Sequence, residues 1–307
     1  MRWRPSRDIQ VEDRRGAGGG GGLGGISMGG LGGGGGIPIP VGGGIGGIVL
    51  TIIIIVVLNL LGGSSLGGSL GGLGGEQGGS GGAAASLDPN DTSGQFVNAV
   101  TVDVQTFWID RFQATGKSYQ QTVIVLFTDQ TQSGCGVASS ATGPFYCPAD
   151  KKVYLDTAFF DELKSRFGAP GEFAQAYVIA HEFGHHVQDE LGIMDQVAQQ
   201  QQSNPSKAND LSIRLELQAD CLAGVWAHSV YATPDQSNVE SITDKDVLDA
   251  MNAAKAVGDD RIQEQATGRI DRESWTHGSA DQRAKWFNNG FKGGTTGGCD
   301  TFAVATP

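Results

Sequence analysis

The chain has 307 residues, includes 50 glycines and carries a formal net charge of −12. This acidic balance argues against nucleic acid as a partner, because phosphate binding depends on clustered lysine and arginine side chains. Glycine dominates residues 16–82, where an ordered backbone would cost the most entropy and return no buried side chain. We therefore expect one globular domain of about 200 residues, with bounds 92–307, which is long enough to bury a core.

The first 40 residues are predicted to form a basic, glycine-rich segment in the cytosol, and residues 41–61 to form a transmembrane helix. The run at 41–61 has no charged side chain, and at 1.5 Å per residue it spans about 31 Å, close to the thickness of the hydrocarbon core. Arginines precede this run, and the next one along the chain is Arg111. The positive-inside rule then predicts a single-pass protein of the cell membrane, with a cytoplasmic N-terminus and the domain on the extracytoplasmic side, periplasmic or extracellular.

Residues 62–91 are rich in glycine and serine and are predicted to be a flexible linker. The domain that follows has four cysteines, and an even number in an exported domain suggests two disulfides. Cys135 and Cys147 bracket a loop rich in turn formers and are the easiest pair, which leaves Cys221 with Cys299 by elimination. The alternative is a zinc site, for which the chain lacks C-x-x-C spacing.

The elements of the domain are predicted from apolar periodicity, turn formers and helix caps. Long helices predominate over two short strands, so the fold class is α+β, mostly helical with a small sheet. In chain order, the prediction is helix 94–115, strand 121–128, strand 151–156, helix 157–168, helix 172–190, polar loop 199–210, helix 211–230, helix 243–268 with a capping box at its start, and helix 279–291.

Three of the five histidines lie on the predicted helix 172–190, in the stretch "AHEFGHHVQ". Residues four apart lie above one another on a helix, so His181 and His185 can hold one metal ion between them. Glu182 lies about 100° around the helix, where its carboxylate can face a water on that metal. This H-E-x-x-H pattern is typical of a single catalytic Zn²⁺ with a glutamate as general base.

The third zinc ligand is predicted to be Glu216, in "RLELQADCLAG". The longer pattern with a third histidine is excluded, because Gln188 and Leu191 occupy the positions that need glycine and histidine. Asp220 lies one helical turn after Glu216 and can accept a hydrogen bond from a ligating imidazole. The alternative is a solvated acidic stripe, but the small residues on this helix favour close helix packing; they are Ala219, Ala223 and Gly224.

Several stretches together resemble the bacterial neutral zinc metallopeptidase family, a group of membrane-anchored metalloproteases. They are "VIAHEFGHHVQ", "RLELQADCLAG", "GPFYCPADKKVYLD", "THGSADQRAKWF" and the N-terminal "MRW" with "VEDRRG". The resemblance covers nearly the whole chain, and it implies a zincin-like domain with peptidase activity on a protein or peptide substrate. The zinc motif matches the family in residue type at His181, Glu182, His185 and Glu216.

Two further histidines are candidates for the site. His277, just before the last helix, is predicted to stabilise the oxyanion of the tetrahedral intermediate; the alternative is that it bonds nearby backbone at the helix entry. His186 could orient the Glu182 carboxylate or lie at the surface. The strand 151–156 could pair with an extended substrate backbone if it forms a sheet edge.

Two other functions stay open at this point. One is a membrane-tethered binding or scaffold protein with a structural zinc, in which protein ligands fill the coordination sphere. The other is a zinc hydrolase that cleaves a bond other than a peptide bond. The oligomeric state is not indicated by the sequence.

Overall fold

The computed structural model describes residues 1–16 and 87–307. The predicted transmembrane segment 41–61 and nearly all of the predicted linker lie outside these residues. Within the described residues, no helix is both long and apolar enough to cross a membrane. The described part is α+β and mostly helical with small sheets, as predicted.

The long helices occur close to their predicted positions because apolar spacing and caps mark them in the sequence. The predicted capping box at Thr243 and Asp246 is present, and Ser279 caps the last helix with Gln282. In chain order the helices are α1 (Thr92–Ala114), α2 (Ala158–Ser165), α3 (Glu172–Glu190), α4 (Ile193–Ser203), α5 (Ala208–Ala232), α6 (Asp244–Ala256), α7 (Asp259–Thr267) and α8 (Ala280–Gly293).

Two helical predictions were wrong in detail. The predicted helix 243–268 is broken into α6 and α7 at Gly258, which is extended and where a Cβ would collide with the backbone of Ala280. Part of the predicted polar loop 199–210 belongs to α4, whose glutamine-rich sequence hides its helical character. Val197 anchors α4 in the interior, and Gln201 bonds the carbonyl oxygen of Ala208 on α5.

The main sheet has four strands in the order β2, β3, β7, β6. Strands β2, β3 and β7 run parallel, and β6 is antiparallel to β7. A two-stranded pair of β1 with β8 and a hairpin of β4 with β5 complete the described strands. The bounds are β1 (Arg2–Trp3), β2 (Val11–Asp13), β3 (Ile124–Phe127), β4 (Gln130–Ser133), β5 (Gly136–Ser139), β6 (Phe145–Cys147), β7 (Lys152–Asp156) and β8 (Val239–Ser241).

The N-terminal residues belong to the folded domain, which differs from the prediction of a separate segment 1–40. Strand β2 pairs in parallel with β3, with Val11 opposite Ile124. Strand β1 pairs with β8, which comes much later in the chain. The side chain of Val11 is buried and the backbone of β2 is paired, so these residues supply contacts that an isolated 92–307 domain would lack.

The strand predicted at 151–156 is present as β7, but it is not a sheet edge. It pairs with β3 on one side and with β6 on the other. The edge strands of the described sheet are β2 and β6, and β6, where Phe145 lies opposite Tyr154, is paired on one side only.

Helix α5 lies at the centre of the helical layer and approaches its neighbours at small residues, as predicted. A Cβ at Gly184 on α3 would lie 3.0 Å from the Ala219 carbonyl oxygen on α5. A Cβ at Gly224 would collide with the Phe287 carbonyl of α8. Both predicted disulfides are confirmed: they are Cys135–Cys147, which joins the β4–β5 hairpin to β6, and Cys221–Cys299, which fixes the C-terminal tail to α5.

Candidate active site

The three predicted zinc ligands converge where α3 crosses α5. The imidazole Nε2 of His181 lies 3.2 Å from Glu216 Oε2, and the Nε2 of His185 lies 3.5 Å from Glu216 Oε1. One donor atom from each side chain lies within 4.8 Å of the other two. The close approach of Gly184 to Ala219 brings the helix backbones near enough for this convergence.

Each imidazole is held by a hydrogen bond at its other nitrogen. The Nδ1 of His181 lies 2.9 Å from Asp220 Oδ1, and the Nδ1 of His185 lies 2.8 Å from Gln188 Oε1. A carboxylate or amide oxygen only accepts, so both Nδ1 atoms carry the proton. Each Nε2 atom therefore faces Glu216, and when it carries no proton its lone pair is directed to the space between the three side chains, which is the donor arrangement that Zn²⁺ requires. The residues present fit a zinc ion.

The electrostatics of the cluster favour a cation among these side chains. Burial by itself lowers the pKa of His181, but the carboxylates of Asp220 and Glu216 outweigh this effect and raise it to about 10. Burial raises the pKa of Glu216, yet the surrounding His185, His277 and His181 hold it well below its usual range. The same charge balance would favour a metal cation in place of a proton.

Asp220 is completely buried and is bonded by several donors at once. Besides His181, its Oδ1 accepts from the Tyr177 hydroxyl at 2.5 Å. The guanidinium of Arg283 on α8 donates through Nε to Oδ2 at 2.9 Å and through Nη2 to Oδ1 at 3.0 Å. Burial raises the pKa of Asp220, but Arg283 and His181 more than offset this and lower it.

Glu182 lies beside the ligands without bonding to them. Its side chain lines the same cavity as His181, His185 and Glu216. It is only 8% exposed, and burial raises its pKa even though the neighbouring His181 and His185 act in the opposite direction. A carboxylate in this setting holds a proton more readily than one in water.

His277 faces this cavity as well, which places it at the site as predicted. Its Nδ1 lies 3.2 Å from Asp259 Oδ1 and 3.0 Å from the Thr276 hydroxyl, so Nε2 is the ring nitrogen available to a bound molecule. Burial lowers the pKa of His277, but the charges of Glu216 and Asp259 outweigh this effect and raise it. The imidazole therefore favours its protonated, hydrogen-bond-donating form.

His186 does not orient Glu182, and it does not lie at the surface. It is completely buried, with its Nδ1 3.1 Å from the Tyr146 hydroxyl and its Nε2 2.7 Å from the Gln120 carbonyl oxygen. Burial lowers its pKa, which is consistent with a neutral ring. His186 fixes α3 to β6 and to the chain before β3.

The cavity over these residues has a volume of about 490 Å³. Strand β6 contributes Phe145 and Tyr146 to one wall, so the open sheet edge borders the candidate zinc site. The rest of the lining is largely apolar and comes from α2 and the residues just after it, and from α4, α5 and α7; it includes Phe159, Phe167, Met194, Leu215 and Ile262.

Four residues of the site were not predicted to act there: Tyr177, Gln188, Asp259 and Arg283. Tyr177 precedes His181 by one helical turn, so a signal for it existed in the spacing. Gln188 was used only to exclude a third histidine, yet it orients His185. Asp259 and Arg283 lie on α7 and α8, and their approach to the motif depends on tertiary packing.

Comparison with known proteins shows the family of this chain, and the matches cover almost its whole length. The family model described as "Putative neutral zinc metallopeptidase" matches residues 1–302, and so includes β1 and β2. "Uncharacterized protein YpfJ" of Escherichia coli K12 is 42% identical over 305 residues, which cover 98% of this chain and 99% of that protein. "Uncharacterized protein Rv2575" of Mycobacterium tuberculosis H37Rv is 47% identical over 219 residues, which cover 66% of this chain and 73% of that protein. No solved structure matches the chain.

Proposed function

Because the chain belongs to the neutral zinc metallopeptidase family, we propose that it is a zinc-dependent peptidase that hydrolyses internal peptide bonds of a protein or peptide. The observation that carries this proposal is the convergence of two Nε2 atoms and the Glu216 carboxylate, with Glu182 lining the same cavity. A structural zinc site is normally closed by four protein ligands, whereas three ligands beside a cavity leave a place for solvent.

His181, His185 and Glu216 would hold one zinc ion. When bound, zinc lowers the pKa of a coordinated water and polarises a carbonyl oxygen. Glu182 takes the proton from the attacking water and passes it to the nitrogen of the leaving amine. His277, held through Nδ1 by Asp259, donates from Nε2 to the negative oxygen that develops on the substrate carbonyl.

The substrate proposed is an extended peptide with bulky apolar side chains near the cleaved bond. Strand β6 is a sheet edge that borders the site, and an extended peptide can add to such an edge by backbone hydrogen bonds. The apolar lining of the cavity would then receive its side chains. The backbone pairing favours a peptide over substrates without a regular amide backbone.

The test of the mechanism is the substitution Glu182→Gln in the full chain, assayed on a peptide library with and without a chelator. The variant should keep one zinc per chain but lose peptide cleavage by about 10²–10⁴-fold, which is the usual contribution of a general base. Glu172→Gln, exposed at the start of the same helix, is the matched control and should cleave like the parent. Cleavage by Glu182→Gln at the parental rate would refute the assignment of the base.

The test of the ligand set is Glu216→Ala, with zinc content measured after dialysis. Loss of one of three ligands should leave the site largely without metal at a free zinc concentration that saturates the parent. Unchanged zinc content would remove Glu216 from the site. If the parent binds zinc but cleaves no library peptide, the result supports the alternative of a scaffold protein with a structural zinc. If the parent cleaves only ester or other amide bonds, the result supports a different zinc hydrolase.

For the location we propose that the domain acts outside the cytoplasm, attached to the cell membrane through the apolar run at 41–61. Two disulfides in the described domain support an oxidising compartment, because such bonds seldom persist in the cytosol. The absence of charged side chains from this run supports the membrane attachment. Membrane fractions of cells that express the full chain should contain it, whereas a chain without residues 17–86 should be found in the soluble fraction.

A further inference from the structure

A buried arginine on α8 contacts the first zinc ligand both through a carboxylate and directly, since Arg283 Nη2 lies 3.3 Å from His181 Nδ1. The Arg283 side chain is only 5% exposed, and it binds both oxygens of Asp220. Asp220 in turn bonds His181 Nδ1. The guanidinium also donates to the carbonyl oxygen of Val257 at 3.2 Å, which fixes the guanidinium relative to the end of α6.

This contact matters because Asp220 would otherwise be an isolated buried charge. Its other partners, Tyr177 and His181, are neutral groups when His181 ligates a metal. Arg283 is therefore the one full positive charge that bonds Asp220 within the described residues once the imidazole is neutral. A buried carboxylate without such a partner is strongly destabilised and would move or recruit a proton.

We propose that Arg283 is a positioning residue of the zinc site: it holds the Asp220 carboxylate in place, and Asp220 holds the His181 ring with Nε2 towards the metal. The inference rests on the proposed function, since it assumes that His181 ligates zinc. The planar guanidinium suits this task because it meets a carboxylate through two parallel N–H bonds, whereas an ammonium meets it at one point.

The test compares zinc release from the parent and from Arg283→Met, measured in the full chain with a chromogenic chelator. Loss of a partner behind a metal ligand typically costs 10- to 100-fold in metal affinity, so release should be faster by about that factor. The matched control is Arg214→Met. Arg214 is also mostly buried but bonds the carbonyl oxygens of Thr301 and Val304, away from the zinc ligands, so this variant should lose stability and keep the parental release rate.

A double-mutant cycle tests whether Arg283 acts through Asp220. In an Asp220→Asn background, Arg283→Met should change zinc release by less than about twofold, because the interaction is already lost. An equal effect in both backgrounds would overturn the proposal. Arg283→Lys should lie between parent and Arg283→Met, and the visible spectrum of Co²⁺ bound in place of zinc should shift in Arg283→Met if the His181 ring turns.

The outcomes separate this proposal from the proposed function. A parent chain that takes up no zinc would refute the metal site and this inference with it. A parent that takes up zinc, together with an Arg283→Met variant that releases it no faster, would refute the role of Arg283 alone. If Arg283→Met does not fold, Arg283→Lys still tests the proposal. A zinc release rate and a Co²⁺ spectrum equal to those of the parent in that variant would also contradict it.

A second, independent observation concerns the two ends of the described segments. The guanidinium of Arg15 forms ion pairs with Asp13 and with Asp91, so the chain enters and leaves residues 17–86 at the same place on the domain. The N-terminal residues are also fixed to α1 by buried Asn98. Its side chain accepts from the Gln10 amide at 2.8 Å and donates to the Asp8 carbonyl oxygen at 2.8 Å.

The geometry points to one side of the membrane for both parts of the chain. Paired strands lie about 4.8 Å apart, whereas the hydrocarbon core is about 30 Å thick. A single crossing between residues 16 and 87 would separate β2 from β3 and Arg15 from Asp91. Residues 1–16 therefore share the compartment of the domain.

Labelling with a membrane-impermeant maleimide in intact cells tests this arrangement. One cysteine would be introduced at exposed Arg7 and, in a separate chain, one at exposed Gln199 on α4. The two positions should react to the same extent, whether both are accessible or both are protected until detergent is added. Reaction at Gln199→Cys with protection at Arg7→Cys, or the reverse, would establish a single crossing and overturn the inference.

Discussion

Asp259 organises the loop that carries His277. Its Oδ2 accepts hydrogen bonds from the backbone amides of Thr276, His277 and Gly278. This leaves Oδ1 for the imidazole at 3.2 Å. Burial raises the pKa of Asp259, but its bonds with His277 and the amides lower it, so the carboxylate stays ionised in the interior. One buried carboxylate thus fixes both the loop and the ring.

We expect His277→Ala to lower kcat by about 10²–10³-fold, the usual cost of removing one donor to the oxyanion. KM and zinc content should change little, because the interaction forms mainly in the transition state. Peptide cleavage rates and metal analysis measure this. The matched control is His228→Gln, since the one hydrogen bond of the His228 ring within the described residues is to the carbonyl oxygen of Phe291. An unchanged kcat in His277→Ala would assign the ring to the structure of the loop alone.

The contribution of Asp91 to the stability of the fold should depend on pH, and this dependence can be measured separately from that of other groups. Burial raises its pKa, but the Arg15 guanidinium and the Gly94 amide lower it. A folded pKa below the unfolded value of about 3.9 stabilises the fold above that pH, and this contribution is lost as the pH falls through the folded value. Asp91→Asn keeps an N-cap while removing the charge.

The stability difference between the parent and Asp91→Asn should therefore be largest near neutral pH and should shrink as the pH falls below about 4. Urea unfolding at a series of pH values measures it. Asp110→Asn, exposed on the same helix, is the control for removing a carboxylate that has no ion pair within the described residues. A difference that stays constant down to pH 2 would contradict the importance of the Arg15 pair.

At the scale of the element, β2 explains why the domain cannot be defined by residues 92–307 alone. Strand β3 is buried along its whole length, and β2 forms one of its two neighbours in the sheet. Removal of β2 would leave the backbone groups and the apolar side chains of β3 uncovered. Such an edge is prone to pair with other chains.

We expect residues 92–307 expressed alone to aggregate or to unfold at a lower temperature than a chain in which residues 1–16 are joined to residue 87. A linker of about eight glycine and serine residues reaches at most ~29 Å, which is ample because Arg15 and Asp91 are in contact. Light scattering and thermal unfolding compare the two. Equal stability and solubility would show that β2 is dispensable.

At the scale of the whole molecule, the disulfides differ in what they hold together. Cys221–Cys299 closes 78 residues of sequence and connects α5, which carries Glu216, to the C-terminal tail. Cys135–Cys147 closes 12 residues and connects a hairpin to the edge strand β6. In a chain-entropy view, the longer loop restricts the unfolded state more.

Replacement of Cys221 and Cys299 by alanine should therefore lower the free energy of unfolding by about 4 kcal/mol, and the same change at Cys135 and Cys147 by about 3 kcal/mol. The second pair borders the cavity, so its loss should also raise KM for peptides. Denaturant unfolding and peptide kinetics measure both effects. A larger loss of stability from the short loop would contradict the entropic account.

Local patterns predicted the parts of the fold that short-range physics controls. The helix 172–190 and its H-E-x-x-H pattern depend on apolar residues and on spacing within one helix, and α3 has those bounds. The capping boxes of α6 and α8 likewise depend on residues three apart. In contrast, β1 and β2 have two and three residues, and pairing over more than 100 positions gives them no local signal.

Two of the arginines near the N-terminus have a role that the sequence does not record. Arg14 pairs with Glu12, and Arg15 pairs with Asp13 and Asp91. Counting charges along the chain cannot distinguish an arginine that faces lipid headgroups from one that closes a fold.

By itself, then, the sequence determined most of the long helices, both disulfide pairs, and the candidate zinc ligands on α3 and α5. Each of these follows from residue types at fixed spacing or from a small set of possible pairings. Only the tertiary structure decided that Arg283 and Asp259 support the site, that β6 is the open edge beside it, and that residues 1–16 complete the sheet. These contacts join residues far apart in the chain, and no periodicity records which distant segments come together.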